Sequence, residues 1–167
     1  LIVDYQSRMV PIIRKYNGVV DRFEGDGIIA SFGSVRESKT YAADVVKATL
    51  ELIEAADAWT VERQANGEIP INVGIAVTAG TIIFGIIGDE QRLEYTILGD
   101  CVNLSAKLEK HTKAENVRAL ASAEVIARAK EQGYESSTDN FRALPGRAVE
   151  GVDHTMDLVV LAEQVKT

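Results

Sequence analysis

Val19-Val-Asp-Arg-Phe-Glu-Gly-Asp26-Gly-Ile-Ile-Ala-Ser-Phe32 places one carboxylate, Asp26, between two glycines and between two apolar, β-rich runs. The runs have strand composition and Gly25-Asp26-Gly27 has turn chemistry, so the segment predicts an antiparallel hairpin with Asp26 at its tip. Glycine on both sides removes Cβ crowding, which lets a ligand or a metal ion approach the backbone closely there. Taken alone, Gly-Asp-Gly is equally at home in an ordinary turn.

Upstream of the hairpin, Tyr5, Met9, Ile12, Ile13 and Tyr16 recur at helical spacing, with a kink expected at Pro11 and a stop at Asn17-Gly18. Downstream, a long helix is expected from Ser38 or a neighbour. Tyr41, Val45, Ala48, Leu52, Ile53 and Ala56 form its apolar stripe, and Asp44, Lys47, Glu51 and Glu54 form a solvated face. Ile71–Val77 and Thr81–Ile87, joined at Ala79-Gly80, read as two strands, and Arg92–Leu98 as a third in the same antiparallel run. Asp100 is expected to cap a helix through about Lys110, with Asn103 and Lys107 sharing a face away from Val102, Leu104 and Leu108. A strand at Val117–Leu120, a helix at Glu124–Gln132 and strands at Phe141–Leu144 and Asp157–Leu161 complete an α+β sandwich with a helical layer.

The chain has 167 residues, 46% hydrophobic and 26% charged, which is enough apolar material for the core of one domain spanning residues 1–167. A formal charge of −7 repels nucleic acid and anionic membrane surfaces at long range. The longest apolar stretch, around Ile82–Ile87, is interrupted by glycine and falls far short of the roughly 20 residues that a bilayer span needs. Cys101 has no partner for an internal disulfide, so packing is its expected role and a cytoplasmic compartment fits. His111 and His154 are isolated and expected at the surface, and no nucleophile with a paired base is present. The chain opens on Leu1 inside a helical pattern, so it reads as a fragment of a longer polypeptide.

The second informative stretch is Tyr95-Thr-Ile-Leu-Gly-Asp-Cys-Val-Asn103-Leu-Ser-Ala-Lys107-Leu-Glu109, where a strand-end Thr, a glycine break and an i, i+4 Asn/Lys pair coincide. Together with the Asp26 hairpin, it resembles the class III nucleotidyl cyclases of bacterial type. In that family a strand, a Gly-Asp bend and a strand precede a long helix. A Tyr-x-x-x-Gly-x-x-Val-Asn-x-x-x-[Arg/Lys]-[Leu/Met] segment follows, in the order found here. The resemblance covers essentially the whole chain.

It implies a ferredoxin-like, palm-like α+β fold. It also implies an adenylate cyclase that makes cyclic AMP and diphosphate from ATP, as a homodimer whose sites are shared between subunits. By the same resemblance, Asp26 is one of two aspartates holding two Mg²⁺ or Mn²⁺ ions, with Gly25 and Gly27 forming its backbone loop. Arg22 and Thr96 occupy the base-recognition positions, Asn103 orients the ribose, and Lys107 contacts the phosphates. Arg can donate to the N1 acceptor of adenine, whereas guanine presents a donor there, which favours ATP over GTP. The domain itself has no expected membrane contact, although the parent is of a kind that can be membrane-anchored or sensor-linked.

Three departures bear on activity. The family's other metal-binding Asp lies on a strand upstream of Leu1, in a segment of about 20 or more residues that this sequence does not contain, so the fragment itself is expected to have half a metal clamp and a gap beside the Asp26 hairpin. Lys107 replaces a forked guanidinium with a point charge. Glu150, in Val149-Glu150-Gly151-Val152, stands where a phosphate-binding Lys is usual, with Arg147 as a candidate substitute. Two alternatives therefore accompany the cyclase reading: a non-catalytic homology domain that binds nucleotide or a partner, and a guanylate cyclase in which Arg22 reads guanine O6 and N7.

Overall fold

A computed structural model of the chain describes residues 1–136 and 140–164. Among them, α1 (Ile2–Lys15) leads into the hairpin of β1 (Gly18–Glu24) and β2 (Gly27–Phe32), and then into α2 (Tyr41–Ala65). β3 (Ile75–Val77), β4 (Ile83–Gly88) and β5 (Leu93–Leu98) follow, then α3 (Asp100–Ala114), β6 (Val117–Ser122), α4 (Ala123–Glu131), β7 (Arg142–Arg147) and β8 (Met156–Glu163).

The centre of the fold is a four-stranded sheet in the order β3-β6-β8-β7, parallel between β3 and β6 and antiparallel elsewhere. β6 is buried along its whole length because both of its faces are covered. Ala119 and Ala121 pack with Val46 and Ile53 of α2 and Val125 and Ala129 of α4, while Leu120 packs with Leu108 of α3, Leu144 and Leu158 on the other side. Alanines at 42, 43, 48 and 56 bring the long α2 close to its neighbours, and Trp59 is 2% exposed near its end.

The sequence-level expectations need five corrections. Residues 71–77 and 81–87 do not form one antiparallel run with β5. β3 is three residues long and pairs in parallel with β6, and of these three strands β4 and β5 form the hairpin. Asp100 does not cap α3. It is the first helical residue, Gly99 holds the cap position, and no side chain bonds into it. The reason is steric: a Cβ at residue 99 would lie 2.6 Å from the Thr81 carbonyl oxygen, so only glycine lets the end of β5 pass there. The start of α2 takes its cap from a distance, as Gln132 Oε1 accepts from the backbone N–H groups of Ala42 and Ala43 at 2.7 and 3.1 Å.

The face of α2 read as solvated carries a tie to α1, where Glu51 accepts from Lys15 Nζ at 2.7 Å and from the Tyr16 hydroxyl at 2.6 Å. His111 is not a surface residue. Its side chain is 11% exposed and Nε2 lies 3.0 Å from Glu115 Oε1.

β2 and β3 are not hydrogen-bonded to one another. A cavity of about 850 Å³ lies between them, lined by Ile29, Val73 and Ile75 and reached by Asp26 and Glu109. No helix among the described residues is long and apolar enough to cross a membrane.

Candidate active site

β1 and β5 belong to different hairpins, yet they meet, and the meeting point is Arg22 with Thr96. Arg22 Nη1 donates to Thr96 Oγ1 at 3.5 Å, and Nη2 lies 4.0 Å from Glu24 Oε1 near the tip of the hairpin. Both residues are half-buried, so the guanidinium is partly stripped of water while its outer edge remains open.

From Thr96 the chain runs two residues to the Gly99 corner and enters α3. There the amides of Val102 and Asn103 turn back to the Gly99 carbonyl at 3.1 and 3.3 Å. Asn103 and Lys107 then fall on one exposed face, a helical turn apart. Lys107 Nζ donates to the Gly151 carbonyl at 2.5 Å. Gly151 has φ +79°, a backbone conformation that favours glycine in this turn. The loop between β7 and β8 is thereby docked onto α3. It brings acidic neighbours with it, the exposed Glu150 and Asp153. The His154 ring holds the Asp153 carboxyl below its ordinary value, with a smaller contribution from the Lys107 charge.

Arg147, the candidate substitute for the missing phosphate-binding Lys, is already engaged, with its Nε 3.4 Å from Glu115 Oε1. Cys101 is half-buried against the Gly80 backbone, and burial pushes its thiol up, consistent with packing.

Asp26 sits at the tip of the hairpin that carries Arg22. It is exposed on its turn, where Gly25 adopts φ +61° and a Cβ at Gly27 would approach the Glu24 carbonyl to 3.2 Å. It lines the cavity between β2 and β3, whereas Arg22, Thr96, Asn103 and Lys107 do not. Tyr5 of α1 and Glu109 of α3 line the same cavity, and burial, and then the negative charges of Asp26 and Glu109, push the Tyr5 phenol up. As a donor set for a divalent ion, Asp26 is a hard ligand of suitable chemistry but a single one. Among the described residues no three His, Cys, Asp or Glu side chains cluster as a metal site.

Sequence patterns find each of these residues but miss Asp21, the neighbour of Arg22 in β1, whose two carboxylate oxygens are buried without a hydrogen-bond partner among the described residues. Its signal is a strand irregularity, which spacing does not reveal.

The sequence model for the family described as "Adenylate and Guanylate cyclase catalytic domain" matches residues 2–161. This chain belongs to that family. It is 25% identical over 131 residues to adenylate cyclase 1 of Rhizobium meliloti, covering 78% of this chain and 20% of that protein. It is 34% identical over 116 residues to the terminal-differentiation-specific adenylate cyclase of Dictyostelium discoideum, covering 70% and 5%. The chain thus spans about a fifth or less of the length of these curated relatives.

Among solved structures, the adenylyl cyclase CyaB from P. aeruginosa superposes with a TM-score of 0.79 at 24% identity, covering 99% of this chain and 81% of that one. The guanylyl cyclase Cya2 superposes at 0.74 with 22% identity, covering 97% and 80%. At these identities the superpositions establish the fold, which is the α+β palm-like arrangement expected from the sequence.

Proposed function

We propose that this domain, residues 1–167, converts ATP to 3′,5′-cyclic AMP and diphosphate as half of a homodimer. The observation that carries the reading is the approach of Arg22 to Thr96, which gathers a cationic donor and a hydroxyl into one partly desolvated place suited to a purine edge. Arg22 donates to adenine N1, and the Thr96 hydroxyl serves as donor or acceptor beside it. Asn103 orients the ribose, and Lys107 screens the phosphates. In the reaction the ribose 3′-oxygen loses its proton and bonds to the α-phosphorus as the bond to the bridging oxygen breaks and diphosphate leaves.

Mg²⁺ or Mn²⁺ enters the proposal with Asp26 as one hard ligand. Nucleotide phosphate oxygens and water would complete the coordination, as is usual for Mg²⁺. Pairing of two copies is supported by the apolar β4–β5 hairpin, on which Ile83, Ile86 and Leu93 are 65%, 70% and 72% exposed.

A second reading, a regulatory domain without turnover, is favoured by the Lys107 contact. Lys107, on this face of α3, is tied to a carbonyl, beside Glu150 where a positive charge would serve a triphosphate.

The test is cyclic AMP and cyclic GMP formation with Mn²⁺ by the full product of the reading frame that encodes this domain, beside its Asp26→Ala variant. Cyclic AMP that disappears in the variant is expected. A folded parent that makes neither product supports the regulatory reading, and cyclic GMP alone supports a guanylate cyclase.

A further inference from the structure

The pairing of β1 with β2 is regular except at one step. Val20 is opposite Ala30 and Arg22 is opposite Ile29; these partners are consecutive on β2, so Asp21 is an extra residue in the ladder. In a regular strand Asp21 and Arg22 would face opposite ways. The bulge turns both toward the face shared by Val19 and Ser31. There the two Asp21 oxygens are closed off from solvent and make no hydrogen bond among the described residues. The nearest hydroxyl, Ser31 Oγ, lies 2.5 Å from Ser34 Oγ, and either of the two can be the donor. Burial pushes the Asp21 carboxyl up, opposed by the nearby Ser31 hydroxyl and the Arg22 charge. Burial and the Asp21 charge together push up the phenol of Tyr95, the neighbour of Thr96.

A buried carboxylate without a hydrogen bond is costly to keep, and asparagine fills almost the same space without the charge. The nearest use for that charge is Arg22, whose guanidinium has two acids pulling on it from different sides. Glu24, 65% exposed at 4.0 Å, draws it outward to the hairpin tip, and the attraction of the Asp21 carboxylate, buried next to it in the strand, opposes that pull. We propose that Asp21 is a positioning residue that holds the Arg22 guanidinium at Thr96 and so sets both the affinity for a purine nucleotide and the choice of purine. The proposal rests on the reading of Arg22 and Thr96 as the base-contacting pair. With Asp21 neutralised, the guanidinium swings toward Glu24 and leaves the Thr96 hydroxyl.

The experiment is calorimetric titration of ATP and GTP analogues blocked at the α-phosphate, with Mn²⁺. The full reading-frame product is compared with Asp21→Asn, Arg22→Ala and the double variant, and each melting temperature is recorded. Asp21→Asn is expected to weaken the ATP analogue about tenfold, to lower its preference over the GTP analogue, and to melt no lower than the parent. In the Arg22→Ala background the same change is expected to have no further effect. Unchanged affinity and preference in Asp21→Asn while Arg22→Ala is impaired overturns the role of Asp21 alone, as does an equal loss in both backgrounds. A melting temperature clearly below the parent's overturns it too, by making the carboxylate a structural support. Normal binding by Arg22→Ala refutes the base-contact reading itself and takes the proposal with it.

Discussion

Arg22 Nη1 stands 3.5 Å from Thr96 Oγ1 across 74 residues of sequence, joining two hairpins that share no ladder. Hydrogen bonds to a charged group are worth about 1.5–3 kcal/mol, roughly 10–100-fold in affinity. Arg22→Ala is therefore expected to weaken ATP binding by about that factor, and Thr96→Val by less, since it removes one hydroxyl at nearly constant volume. Nucleotide titration checks both, and the double variant should lose less than the sum of the two.

The docking of Lys107 on Gly151 predicts a gain of function at Glu150. Glu150→Lys reverses a charge beside the Lys107 ammonium and is expected to lower KM for the nucleotide, roughly threefold to tenfold, with kcat changed less. Lys107→Met is expected to raise KM by at least as much. Steady-state kinetics in Mn²⁺ would decide, and a KM indifferent to both substitutions would remove this loop from the phosphate subsite.

Glu51 gives the tie between α1 and α2 a pH dependence. Hydrogen bonds from Lys15 and then Tyr16 hold its carboxyl below the ordinary 4.5, so its contribution is present above that value and is lost as pH falls through the lowered one. Lys15 and Tyr16 are both raised, chiefly by their bonds to Glu51, so their share is present below about 10 and is lost as pH rises through the raised values. Glu51→Gln should thus melt lower than the parent at neutral pH and converge with it in acid, once the pH has fallen below the lowered Glu51 value. Parallel melting curves at the two pH values would contradict this.

Arg118 is the buried charge of β6, 5% exposed, and it pairs with Asp57 of α2. Asp57→Ala strands that charge and is expected to cost about 2 kcal/mol. This is less than the roughly 3–5 kcal/mol typical of a fully buried pair, because the Asp57 side chain is 46% exposed. Replacing the pair by Arg118→Met with Asp57→Ala should recover most of that loss in urea unfolding.

Much of this architecture is legible from local pattern. The Asp26 hairpin, the Gly99 break and the Asn103/Lys107 face all declare themselves through turn chemistry and through periods of two and 3.6. What is not legible arises from chain segments that meet late. Gln132 caps α2 from about ninety residues away, as the separation of 90 between Ala42 and Gln132 shows, and no N-cap signal at Ser38 or Thr40 announces it. The short β3 reads as an antiparallel strand because its apolar run is the same whichever neighbour it pairs with, and only the burial of β6 on both faces makes the parallel pairing intelligible. His111 looks isolated in sequence because its partner, Glu115, only just follows α3 and gains importance only when Arg147 arrives from β7. Within the candidate site, spacing identifies Arg22 and Thr96 separately, but their approach to one another is a property of the fold.

The bulge in β1 also bears on how this hairpin tolerates changes of length. Losing a codon from the interior of a regular strand reverses the facing of everything beyond it. Losing residue 21 does not, because Val20 and Arg22 already face consecutive residues of β2, so every other partner across the hairpin would keep its place. A homologue one residue shorter at this point can share the whole hairpin, Asp26 turn included, and differ only in lacking the acid beside its Arg22.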